Sequence, residues 1–74
     1  MVIIMKEIKA NMTGTIIEVL VKVGDKVAID QDVVSIESMK MEMSIQSTAA
    51  GSVKEILVKA EDFVQEGQVL LTLE

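Results

Sequence analysis

The sequence contains no cysteine, histidine, proline, tryptophan, tyrosine or arginine, and its single aromatic residue is Phe63. Each gap removes a class of chemistry. Without cysteine or histidine there is no thiolate nucleophile, imidazole base, disulfide, thiol redox centre or zinc site of the usual kind. Seven lysines stand against twelve acids, for a net charge of −5. A chain of that charge with neither arginine nor stacking aromatics is expected to bind no nucleic acid, since phosphate neutralisation and base stacking dominate there. Charges interrupt every apolar run short of membrane-spanning length, so no membrane partner is expected. The run Val2-Ile3-Ile4-Met5 lacks a basic flank and is too short for a signal-peptide core, which points to a cytoplasmic location.

What remains is aliphatic. Half of the 74 residues are apolar, and burial of these must hold one small domain together without a disulfide or a structural metal. So short a chain has little material left for a deep substrate pocket. A module on which other proteins act, with no catalytic residues and no metal ligands of its own, is the expectation.

Self-similarity organises the chain. Residues 13–37 laid over residues 50–74, an offset of 37, give nine identities in 25 pairs: Gly14/Gly51, Glu18/Glu55, Leu20/Leu57, Val21/Val58, Lys22/Lys59, Asp25/Asp62, Val27/Val64, Gln31/Gln68 and Glu37/Glu74. Average residue usage would give about one or two. Within each copy the apolar period is two. Ile17, Val19, Val21 and Val23 are expected on one face, with Glu18 and Lys22 opposite. Ile56, Val58 and Ala60 repeat this against Glu55 and Lys59. Further strands are predicted at 33–38, 41–46 and 69–73, with an N-terminal one around 2–8. Met41, Met43 and Ile45 would share a core-side face. Gly14, Gly24, Gly51 and Gly67 are assigned to turns. Short strands in two related halves predict an all-β fold, a small antiparallel sandwich or flattened barrel with pseudo-two-fold symmetry.

Between the copies lies Glu37-Ser38-Met39-Lys40-Met41-Glu42-Met43. If the flanking strands pair as a hairpin, the chain reverses at Met39-Lys40. The commonest two-residue turn needs positive φ at both central positions and favours Asn, Asp or Gly. Met-Lys is a poor choice for that turn, so its side chains are wanted for something else. A lysine at a hairpin tip is a primary amine held clear of the fold, able to form an amide with an activated carboxylic acid. Flexible, polarisable methionines beside it suit transient contact with an apolar groove. The alternative is one more solvated surface lysine.

Glu37-Ser38-Met39-Lys40-Met41 resembles the acceptor motif Glu-Ala-Met-Lys-Met of the biotinyl/lipoyl attachment domain family, and the likeness extends over nearly the whole chain. Val23-Gly24-Asp25-Lys26-Val27, Gly51 and Gly67-Gln68-Val69-Leu70 match the family's cadence. Departures are Ser38 for the usual alanine, Asn11 and Thr48 where Ala-Pro dipeptides are common, and Asp30 where glycine would precede Gln31.

The resemblance implies a barrel-sandwich hybrid whose Lys40 carries covalent biotin, loaded by a biotin protein ligase that activates biotin as its adenylate. A lysine amine is protonated at neutral pH, so its proton would be lost inside the ligase complex. Ser38, Met39 and Met41 would be read by the ligase. Glu37 and Glu42 would position the hairpin or set partner choice, or stand as solvated charges only. The loaded arm would swing between biotin carboxylase and carboxyltransferase components, with tethering raising its effective concentration, and a monomer is expected. A second implied reading is a lipoyl carrier, or a dual acceptor, loaded by a lipoate ligase for a 2-oxo acid dehydrogenase complex. That class usually has Asp before and Ala after the lysine. The third is an unmodified barrel-sandwich used for structure or partner binding.

Overall fold

The computed structural model describes residues 6–74, and residues 2–5 of the expected N-terminal strand lie outside them. Eight strands follow in chain order: β1 (Lys6–Lys9), β2 (Gly14–Val19), β3 (Lys26–Val27), β4 (Asp32–Ser38), β5 (Met41–Gln46), β6 (Gly51–Ile56), β7 (Phe63–Val64) and β8 (Val69–Leu73). They form two four-stranded antiparallel sheets, ordered β1-β8-β6-β3 and β5-β4-β2-β7. The fold is the expected all-β barrel-sandwich.

The repeat in the sequence is the symmetry of the molecule. An offset of 37 carries β2 onto β6, β3 onto β7, β4 onto β8 and β1 onto β5, so the first sheet order maps onto the second. The two short strands are exchanged. Val27 of the first half pairs with Gly51 of the second, and Val64 of the second pairs with Gly14 of the first. Neither sheet is therefore built from one half alone.

Four β-bulges obey the same symmetry. Extra residues fall at Ile17 in β2 and Lys54 in β6, and at Val33 in β4 and Leu70 in β8. A bulge reverses the in–out phase of a strand. Val33 and Val34 are consequently both buried, as are Leu70 and Leu71. It also overturns the expected alternation in the first copy. Ile16 fills the core and Ile17 is 39% exposed, while Val23 lies past the end of β2 and is exposed. In the second copy Val53 and Val58 are buried, Ile56 packs partly against the core and Ala60 is exposed.

The core between the sheets is aliphatic throughout, with Ile8, Ile16, Ile36, Ile45, Val64 and Leu73 among its fully buried members. The tight turns also recur in pairs. Asp25 and Asp62 accept from the backbone N–H of Lys22 (2.8 Å) and Lys59 (3.0 Å), and Gln31 and Gln68 accept from those of Ala28 (3.0 Å) and Gln65 (3.2 Å). These four side chains are among the repeat identities, so their identity reflects a job in the turn. In each pair of turns one member has glycine at positive φ and the other does without it: Gly24 (φ 95°) against Glu61 (φ 76°), and Gly67 (φ 90°) against Asp30 (φ 70°).

Gly14 and Gly51 are not turn residues. They open β2 and β6, and their lack of a side chain answers to crowding. A Cβ on Gly14 would strike the carbonyl oxygen of Glu37, and one on Gly51 would come 2.8 Å from that of Glu74.

Candidate functional site: the lysine hairpin

β4 and β5 are joined by a two-residue turn, with Ser38 paired to Met41 and Glu37 to Glu42. Register leaves only Met39 and Lys40 to reverse the chain. Their φ values, 53° and 64°, are the left-handed pair that such a turn requires. Each non-glycine residue held there costs about 1–2 kcal/mol. The paired strands and core of the second sheet must over-determine the tip for that cost to be sustained.

The strain positions an amine. From Gly14 through β2 the chain runs away from the hairpin, then along β3 to pair with β6 beside the C-terminal residue Glu74. Lys40 thus stands at one end of a body measuring 44 × 18 × 17 Å, with Glu74 at the other. Its side chain is exposed, and no described residue bonds or pairs with its ammonium. Lys6 Nζ donates to the carbonyl of Ala50 (2.7 Å) and Lys9 lies 3.9 Å from the Glu7 carboxylate, whereas Lys22, Lys26 and Lys59 are exposed as Lys40 is, so what sets Lys40 apart is its place in the turn.

Met39 is 92% exposed and Met41 62% exposed. The core-side role expected for Met41 is not found. Met43 packs partly against the core and Ile45 is buried. The two methionines beside Lys40 are apolar surface offered to solvent, a costly display unless something covers it.

Below the tip, Glu37 and Glu42 face each other directly across the hairpin. Like charges so placed destabilise a sheet. The Glu42 carboxylate accepts from Ser35 Oγ at 3.3 Å. Ser38 Oγ donates to the carbonyl of Thr13 (2.9 Å), and Thr13 Oγ1 accepts from the N–H of Glu66 (3.1 Å). Thr13 thus braces the base of the hairpin against two neighbouring loops, a role not anticipated from sequence. The signal was available, because Thr13 matches Ala50 in the repeat and only the half bearing the lysine hairpin has the hydroxyl.

The geometry is that of a display. Among the described residues no pocket is formed, and no cluster of three acidic, histidine or cysteine side chains could hold a metal. No helix is long and apolar enough to cross a membrane.

Comparison with known proteins gives this arrangement a lineage. The model of the biotin-requiring enzyme family, the biotinyl/lipoyl group, matches residues 6–73. The chain belongs to the biotinyl/lipoyl attachment family. Its members are attachment domains, non-catalytic carriers on which other proteins act. A biotin/lipoyl attachment protein of Bacillus subtilis (strain 168) is 46% identical over 66 residues, covering 89% of this chain and 90% of that one. The dihydrolipoyllysine-residue acetyltransferase component of the pyruvate dehydrogenase complex of Pseudomonas aeruginosa is 48% identical over 64 residues, covering 86% of this chain but 12% of that protein. The crystal structure of the Kluyveromyces lactis urea carboxylase contains the same fold, with a TM-score of 0.89 at 30% identity over 100% of this chain and 6% of that one. The biotinyl/lipoyl attachment fold thus occurs both as a small separate protein and as one segment of large multidomain enzymes.

Proposed function

We propose that Lys40 is the acceptor of covalent biotin and that the chain is a single carrier domain serving a biotin-dependent carboxylase. The observation that carries this is a strained turn holding an unpaired, exposed amine between two exposed methionines. The site fits a covalently attached group, because a primary amine stands clear with no competing intramolecular bond. Loading is an acyl transfer catalysed by a biotin protein ligase. The deprotonated ε-nitrogen attacks the acyl carbon of the acyl adenylate, a C–N bond forms, and the C–O bond to AMP breaks. The chain supplies the nucleophile and its placement, and the ligase must take the proton.

Once bound, the group would supply the carboxyl-carrying chemistry, while the protein supplies attachment and orientation. A rigid sandwich at the root of a long arm keeps the carried group at high effective concentration for the carboxylase and carboxyltransferase components. Glu37, Ser38, Met39, Met41 and Glu42 make up the surface that the ligase reads. Similarity to a lipoyl-bearing acetyltransferase component supports a second reading, a lipoyl or dual acceptor loaded by a lipoate ligase. Streptavidin blotting and intact mass of protein purified from its own host decide between the readings. A biotinyl adduct on Lys40 is expected, a lipoyl adduct selects the second reading, and an unmodified chain defeats both.

A further inference from the structure

The two sheets share a backbone plan, yet their outer faces have diverged at matching positions. A row of side chains crosses the outer face of the hairpin sheet from β5 to β7 in the order Glu42, Glu37, Thr15, Phe63. Ile17 and Glu18 follow Thr15 along β2, exposed together by the bulge. The positions related to Phe63 and Ile17 on the other sheet are Lys26, which pairs with Ser52, and Lys54. Both are apolar on the hairpin sheet and both are lysine on the other. The hairpin face therefore carries Glu18, Glu37 and Glu42 with no lysine among these positions, whereas its counterpart sets Lys26 and Lys54 against its acids. Phe63, the chain's lone aromatic, is 63% exposed here instead of filling the core.

We propose that this outer face is the docking surface for the ligase that modifies Lys40, with Phe63 and Ile17 as apolar anchors and the three glutamates meeting a basic rim. The proposal rests on Lys40 being the acceptor. A ligase must bring the ε-amine itself into its active site, without the reach that a loaded arm gives the later partners, so it lies against the body of the domain beside the hairpin. The row is within reach of one such contact. Strand spacing of about 4.8 Å puts Phe63 about 14 Å from Glu42, and the Lys40 backbone is two residues, about 7 Å, beyond Glu42 along β5. A standard interface of about 800 Å² per partner is wide enough to cover both. Aromatic anchors inside a charged rim are what such interfaces use, and the acidic face selects a partner of opposite charge.

The test measures initial rates of Lys40 labelling by whichever purified ligase, biotin or lipoate, labels the wild-type chain. Phe63→Lys and Ile17→Lys give the hairpin face the residues of the other face, and Lys26→Ala alters the other face as control. Far-UV circular dichroism and melting establish that each variant is folded, with Phe63→Ser used where Phe63→Lys is not. Expected are a KM raised about tenfold or more for Phe63→Lys with kcat within about twofold, a smaller rise for Ile17→Lys, and a KM for Lys26→Ala within about twofold of wild type. Wild-type KM should also rise with added salt. Labelled wild type with an unchanged KM for Phe63→Lys, or equal effects of Phe63→Lys and Lys26→Ala, overturns this proposal alone. A wild-type dimer dispersed by Phe63→Lys assigns the face to a second copy and overturns it too. Wild-type chain that neither ligase labels defeats the acceptor reading and this proposal with it.

Discussion

At the scale of single residues, the hairpin tip sets function against stability. Met39 and Lys40 occupy backbone conformations in which Asn or Gly would sit at lower energy. Met39→Asn is therefore expected to stabilise the domain by about 1 kcal/mol, read as a higher urea midpoint at unchanged slope. The same substitution removes the most exposed apolar side chain beside the amine, so slower labelling of Lys40 should accompany the gain. Lys40→Arg keeps the charge and the exposure but offers no amine that ligase chemistry can acylate. Complete loss of the adduct from the intact mass, with melting unchanged within about 2 °C, is the expected result. Residual adduct on that variant would place the attachment elsewhere.

At the scale of elements, the hairpin is held from below as much as by its own turn. Gly14 admits the carbonyl of Glu37, and Thr13 bonds Ser38, so the start of β2 is moulded to the end of β4. Gly14→Ala drives a methyl group into that backbone and should cost about 1–3 kcal/mol. Gly51→Ala meets the corresponding carbonyl of Glu74 at a longer distance, 2.8 Å, and should cost less. Equal losses in denaturant melts of the two variants would show that the hairpin end is no more tightly built than the other. All four turns are closed by the same kind of side-chain bond, yet Glu61 and Asp30 hold positive φ where their repeat partners Gly24 and Gly67 are glycine.

At the scale of the whole molecule, exchange of β3 and β7 between the sheets makes the halves interdependent. A chain ended after Ala50 loses β6 and β8, which are the pairing partners of β3 and β1. It should stay unfolded by far-UV circular dichroism, and the full domain should unfold in one cooperative step by both dichroism and amide exchange. A folded first half would contradict the exchanged topology.

Legibility followed range. The turn at Met39-Lys40 was open to reading because a local rule, the φ demand of a two-residue hairpin, conflicted with the residues present. The fold class and its two-fold plan were legible because the repeat placed Asp25, Asp62, Gln31 and Gln68 in equivalent turns. Amino-acid order alone thus settled the class of fold, the symmetry and the candidate amine. Tertiary structure decided which side of each strand faces the core, that Met41 and Phe63 face solvent, and that the hairpin's sheet has an outer face without lysine among its matched positions. Period-two reading assumes an unbroken ladder, and one extra residue at Ile17 or Val33 reverses the phase of everything beyond it. Where those bulges fall, and which sheet receives each short strand, is set by pairing between residues distant in the chain, which no local pattern encodes.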